Sequence, residues 1–349
     1  MSEPVTPVSE QTIPPLDNDA REAARDRQAR LTKPSGSLGR LETMAAEIAA
    51  MQSTTTPTVD PAVVVTMAAD HGVAVEGVSA YPQSITAAMV ANFVDGGAAV
   101  NALCAANGVE NIVVDMGVAG AVPEGVLDYR VGKGTANMSQ EPAMTRQQAL
   151  DAMEAGQSVL DDLPAETRFV GLGEMGIGNT TASAAITALL TDSSVETVTG
   201  HGTGIDEETR THKIDVIKQA IETNNPDPSD PISVLQAVGG FEIAGLAGLT
   251  LTAASQRIPV VVDGFITGAA ALVAAAINPR VTDYLLASHA SVEPGHTVQF
   301  ETLGLEPCFD YGMRLGEGTG AAVALGVYRS ACSAHREMAT FAEAGLETE

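Results

Sequence analysis

The sequence has no tryptophan, only twelve tyrosines and phenylalanines together, and few basic residues: 18 Lys and Arg stand against 44 Asp and Glu. The resulting formal charge of −26 excludes a nucleic-acid backbone or an anionic membrane as an electrostatic partner. Cysteine is scarce. Cys104, Cys308 and Cys332 are odd in number and show no CxxC spacing, which argues against a disulfide framework or a zinc centre and fits a reducing cytoplasm. No run of 18 apolar residues escapes charges or helix breakers, so no membrane span is expected. The first residues are acidic and carry four prolines, with neither a basic segment nor an apolar core. They read as a flexible tail over residues 1–16, not as a signal peptide.

What is present is alanine, valine, isoleucine and 34 glycines, the profile of a closely packed α/β protein. Two amphipathic helices are expected over Asp17–Leu31 and Leu38–Met51, separated by Pro34 and Gly36 and followed by a threonine-rich linker. From Pro61 the pattern alternates. Strands are expected at Val63–Ala68, Ile112–Met116, Arg168–Leu172, Val195–Thr199, Pro259–Asp263 and Tyr284–Ser288, with helices between them. A core helix Gly318–Ser330 and a separate tail helix Ser333–Ala344 close the chain. Apolar strands that do not alternate are buried on both faces, and strand–helix repetition implies right-handed crossovers. The fold class is therefore α/β: a mainly parallel, doubly wound sheet. Its ligand site belongs at the carboxyl ends of the strands.

Three glycine turns carry the chemistry. In Phe169–Thr181 a strand runs into glycines around Glu174, and Asn179-Thr180-Thr181 opens a helix. Free N–H groups and the helix dipole favour an anion there, and the acid in its midst suggests a second task, that of facing positive charge. The Gly171–Gly176 segment also matches GxGxxG, but no acidic residue stands at the next strand end to hold a ribose, so a Rossmann-type dehydrogenase is the weaker reading. In Gly200–Asp206 a second glycine turn precedes a helix whose Lys213 can curl back toward an anion. In Leu315–Ala322, Glu317 stands between glycines ahead of an alanine-rich helix, where burial can tune it toward a general base. His289 and His296 are seven apart, with Pro294 and Gly295 between them, so no metal pair at helical spacing is supported.

LTKPSGSLGRLE (31–42), ADHGV (69–73), GVSAYPQ (77–83), GEMGIGNTT (173–181), GHGTGID (200–206), VVVDGFITG (260–268), SHASVEPGH (288–296) and LGEGTGAA (315–322) resemble, in order, the nicotinate-nucleotide–dimethylbenzimidazole phosphoribosyltransferase family. The resemblance covers about residues 20–330. It implies a homodimer in which a large α/β domain (59–330) is joined by a small helical domain built from residues 17–58 and 331–349. It implies transfer of ribose 5-phosphate from nicotinate mononucleotide to 5,6-dimethylbenzimidazole with inversion at the anomeric carbon, and no metal or organic cofactor. It makes Glu317 the general base and Glu174 the group facing an oxocarbenium-like transition state. Gly176, Gly178, Asn179, Thr180, Gly202, Gly204 and Lys213 would surround the phosphate, and Asp263, Gly264 and Ser291 the ribose. Ser79, Tyr81, Gln83, Met313 and Leu315 would form the base pocket. Two residues depart from the family pattern: His201 stands where arginine is expected, and Ser35 replaces a proline. A nucleotide-binding protein that keeps the fold without turnover is the non-enzyme alternative.

Overall fold

A computed structural model describes residues 11–202 and 204–346. Among them, six parallel strands form one sheet in the order β3-β2-β1-β4-β5-β6. They are β1 Ala62–Ala69, β2 Glu110–Gly117, β3 Leu127–Asp128, β4 Phe169–Met175, β5 Val260–Val262 and β6 Leu285–Ala287. The order reverses between β1 and β4, which pair in register from Ala62↔Phe169 to Ala68↔Met175. A crevice therefore opens outside the carboxyl ends of those two strands.

Successive β1 residues feed opposite faces. Val63, Val65 and Met67 join a core that also holds Val170, Leu172 and Val260, while Val64 and Ala68 join a second core with Phe169, Ala321 and Leu325. Helices α5 (Arg146–Asp162), α6 (Asn179–Thr191), α10 (Phe241–Ser255) and α11 (Phe265–Ile277) cover the first face. Helices α2 (Arg40–Gln52), α3 (Ile85–Val94), α4 (Ala99–Ala106) and α13 (Thr319–Glu337) contribute to the second. The remaining helices are α1 (Asn18–Arg30), α7 (Val195–Val198), α8 (Glu207–Asn224), α9 (Pro231–Val238) and α12 (Pro294–Leu303). Residues Ile85–Ala106 are long and apolar enough in composition to cross a membrane. The chain breaks there into α3 of 10 residues and α4 of 8, each too short to span.

Several expectations change. Val195–Thr199 is not a strand; Ser194 accepts the Thr197 N–H and nucleates the single helical turn α7. The final helix and the tail helix are one element, α13, which runs unbroken to Glu337; Thr340 then pairs with Leu31 in an isolated antiparallel bridge. The expected tail falls on residues 1–10, which lie outside the described residues, and on 11–16, which are docked. Ile13 is buried, and the carbonyls of Pro14 and Pro15 accept from Tyr284 and Arg257.

Small residues set the closest helix contact. Helices α5 and α10 cross with Gly156 against the Gly245 backbone and Gly248 against the Met153 backbone. A Cβ on Gly248 would stand 2.8 Å from the Met153 carbonyl carbon. Gly248→Ala gains roughly 1 kcal/mol in helix propensity. The obstacle is backbone and cannot rotate away, so overpacking at about 1–3 kcal/mol outweighs that gain. The variant is expected to unfold at lower urea concentration than the wild type, with an unchanged slope.

Candidate active site

Three segments meet in the crevice. Strand β4 runs on through Gly171 and Gly173 to Met175, so these two glycines are strand residues and not a phosphate turn. Their missing side chains make room for the last element: a Cβ on Gly171 would meet Ala321, and one on Gly173 the carbonyl of Glu317 at 2.5 Å. The GxGxxG match is thus a packing pattern between β4 and α13. Glu174 is delivered by the strand end. The turn proper is Gly176-Ile177-Gly178, pinned by the Ile177 N–H donating to Thr86 Oγ1 at 3.1 Å. Gly178 adopts φ +100° and precedes α6, whose N-terminus has no side-chain cap. An uncapped helix end facing a crevice is an anion seat.

The second turn supplies the rest of that seat. Asp206 caps α8 by accepting the Thr209 N–H at 2.9 Å, so the helix end itself is already satisfied. The turn instead presents the Gly202 amide, which donates to Glu293 Oε1 at 2.8 Å, and beside it Lys213. Lys213 is buried, and its Nζ donates to Thr180 Oγ1 at 2.7 Å, which ties α8 to the start of α6. Burial pulls the Lys213 ammonium down to about 8, with Glu293 pulling the other way. His201 points outward, its Nδ1 sharing a 2.8 Å hydrogen bond with the Ile205 carbonyl. Arg314 approaches the same turn from another loop, and its Nη1 donates to the Gly202 carbonyl at 3.2 Å.

The third turn holds Glu317 at φ +63° between Gly316 at +85° and Gly318 at +92°. A non-glycine residue in this region is strained, and such strain collects at working sites. Asp263, from the end of β5, holds the turn in place: its carboxylate accepts from Ala321 N–H at 2.9 Å and Gly318 N–H at 3.3 Å. Asp263 therefore caps α13 from behind the cavity. Glu317 has one buried oxygen, Oε2, without a partner. Burial raises its carboxyl above the usual range, against the pull of the Val100 N–H. Burial also pushes Glu174 up to about 8; the Asn179 amide, donating at 2.5 Å, opposes this, and the Asp263 and Glu242 charges add to it. Asp263 is pushed up to about 7 by burial despite its backbone donors.

Together these turns enclose a cavity of about 710 Å³. Of the residues expected at the site, Glu174, Gly176, Asn179, Thr180, Gly202, Gly264, Ser291, Tyr81, Leu315 and Glu317 line it. Gly178, Gly204, Lys213, Asp263, Ser79, Gln83 and Met313 do not form its wall. Gly178 packs on His71 and Val73, and Gly204 faces open space. Sequence reasoning missed Glu293, Arg314 and His289 on the polar side, and Ile85, Met89, Ile177 and Phe265 on the apolar side. Ile85 and Met89 were findable as an i, i+4 apolar pair on α3. Burial pulls the imidazoles of His289 and His296 below their usual range, the latter to about 3, and their rings stack at 5.9 Å. The cavity thus combines an anion seat with apolar surface suited to a flat ring, and three acids, Glu174, Glu293 and Glu317, line it.

A parallel α/β enzyme with an anion seat, an apolar ring pocket and paired buried carboxylates at the switch point is the class this fold and site define. A phosphoribosyltransferase family model matches residues 13–346. The nicotinate-nucleotide–dimethylbenzimidazole phosphoribosyltransferase of Roseiflexus sp. (strain RS-1) is 51% identical over 337 residues, 96% of each chain. That of Halalkalibacterium halodurans is 50% identical over 96% of this chain and 94% of its own. The crystal structure of the enzyme of the same name from Thermus thermophilus superposes with a TM-score of 0.90 at 42% identity, covering 96% of this chain and all of its own. The chain belongs to the nicotinate-nucleotide–dimethylbenzimidazole phosphoribosyltransferase family.

Proposed function

We propose that this chain moves ribose 5-phosphate from nicotinate mononucleotide to 5,6-dimethylbenzimidazole, giving α-ribazole 5′-phosphate and nicotinate. The observation that carries the reading is Glu317, a strained acid in the cavity wall with one buried oxygen unpartnered. The phosphate rests at the Gly176 and Gly202 turns, with the Lys213 charge beneath. The benzimidazole lies between Tyr81, Ile85, Met89 and Leu315. One ring nitrogen attacks the anomeric carbon while the bond to the pyridinium nitrogen breaks. The electron pair of that bond neutralises the pyridinium, so nicotinate leaves without needing a proton. The other ring nitrogen gives its proton to Glu317. Glu174 faces the ribose as positive charge develops there. Burial favours its protonated form, and the cationic ring of a bound mononucleotide favours the ionised one. The reading assigns no step to a metal or organic cofactor.

A homodimer is part of the proposal. Tyr81, Tyr311, Val292 and Leu315 leave apolar surface exposed, and Tyr81 and Leu315 do so on the cavity wall itself. The division into a large and a small helical domain is supported by Arg27, which donates to the carbonyls of His335, Arg336 and Met338 and so ties α1 to the end of α13. Three separate free thiols suit a cytoplasmic setting. The dehydrogenase alternative loses its footing because two of its three fingerprint glycines, Gly171 and Gly173, lie inside β4 and not in the turn that follows it.

The test is a product assay. Purified chain with nicotinate mononucleotide and 5,6-dimethylbenzimidazole is expected to yield α-ribazole phosphate and nicotinate in equal amounts. Folded protein that forms neither would end the proposal, and binding without turnover would favour the non-catalytic alternative.

A further inference from the structure

Glu293 is the N-cap residue of α12, followed by Pro294 at the first helical position. A capping acid accepts an N–H from its own helix. Glu293 makes no such bond. Its carboxylate turns away into the cavity, where Oε1 accepts the Gly202 N–H at 2.8 Å from 91 residues away in the chain. Oε2 is buried without a partner and lies over Gly200, where a Cβ would collide with it. The side chain is only 6% exposed. On the other side of Gly202, a Cβ would stand 3.3 Å from Lys213 Nζ. A buried carboxylate therefore holds one of the amides, beside a buried lysine, that an incoming anion would need.

We propose that Glu293 is a built-in occupant of the phosphate seat, which holds the Gly202 amide in the empty enzyme and yields it to the phosphoryl group of the mononucleotide. The inference rests on the reading of the Gly202 turn as part of that seat. A buried N–H needs an acceptor, and a buried ammonium needs a nearby negative charge. Glu293 meets both needs when no ligand is bound. When a phosphoryl group arrives, two anions compete for one amide, and their repulsion at this range weakens anion binding. Glu293 thus keeps the turn formed and the lysine balanced, at a cost in affinity for phosphate.

Glu293→Gln removes the charge and keeps an acceptor for Gly202. With inorganic phosphate as the probe, titration calorimetry is expected to show about tenfold tighter binding to the variant. Nicotinate mononucleotide should tighten in the same direction, and nicotinate riboside, which lacks the phosphate, should bind the two proteins alike. In a crystal structure with the mononucleotide bound, the Gly202 N–H should donate to a phosphate oxygen, with Glu293 Oε1 beyond hydrogen-bonding distance. Phosphate binding that is unchanged or weaker in the variant overturns the inference, as does a loss of riboside affinity, which would place Glu293 on the ribose. A complex in which Glu293 keeps its 2.8 Å bond overturns it as well. Should the glutamine variant not fold, Glu293→Ala, which also removes the charge, is read by the same titrations with the same expectation. If the wild type makes product while phosphate affinity stays unmoved by the substitution, this inference fails and the proposed function stands.

Discussion

Glu317→Gln is expected to lower kcat by about 10²–10⁴-fold while leaving the affinity for nicotinate mononucleotide within a few-fold of the wild type. Glutamine has the shape of glutamate but cannot take the benzimidazole proton. The turn should survive, because what builds it is backbone. Thr66 Oγ1 donates to the Glu317 carbonyl at 3.1 Å, and Asp263 holds the amides that follow. The αL conformation at φ +63° costs glutamine and glutamate alike. Burial raises the Glu317 pKa, and only the ionised form is a base, so the wild-type rate should fall as pH drops through that raised value. The variant should lose this limb of the profile. Initial rates from pH 5 to 9, with calorimetry for the mononucleotide, check both points. Full turnover in the variant would remove Glu317 from the role.

That turn also shows how much was legible in the sequence. Glu317 between two glycines stood out as a candidate because flanking glycines let a ligand approach the backbone closely, and in the fold all three residues have φ in the left-handed region. The parallel sheet was readable from apolar strands that do not alternate. Other features follow from pairings between segments far apart in the chain. Gly171 and Gly173 look like a dinucleotide turn until β4 is seen to carry them beneath α13. Asp263 looks like a ribose ligand until its oxygens are found on the amides of Gly318 and Ala321, 55 and 58 residues on. Glu293 reads as an ordinary acid before a proline, and its direction is fixed only by Gly202. Helices α9 and α12 were missed although each has proline at its start, the one position where proline favours a helix. Val195–Thr199 misled because β-branched residues outweighed a serine cap in the reading, whereas in the folded chain the cap decides.

Glu174→Gln should separate what this acid does for the reaction from what it costs the fold. Its carboxyl is buried, and burial with the Asp263 and Glu242 charges pushes it up to about 8 from 4.5. In the unfolded chain the group ionises near the lower value. Between the two values the unfolded state releases a proton that the folded state keeps, so the folded state loses relative stability as pH rises from about 4.5 and the loss levels off above about 8. The full penalty is on the order of 5 kcal/mol. Glutamine does not titrate and can still accept from Asn179, which donates to this side chain at 2.5 Å. The ligand-free variant is therefore expected to match the wild type in urea unfolding at pH 5 and to exceed it by a few kcal/mol at pH 8.5. Removing the Glu174 charge also eases ionisation of Asp263, which adds to the gap in the same direction. Turnover should move the opposite way. Losing a charge aimed at the developing oxocarbenium ion should lower kcat by about 10²–10³-fold. A protein that becomes more stable and less active, with the stability gain confined to higher pH, is hard to explain by general damage to the fold. A gap that is the same at both pH values would mean that Glu174 is not held protonated, and unchanged turnover would mean that the ribose does not pass before it.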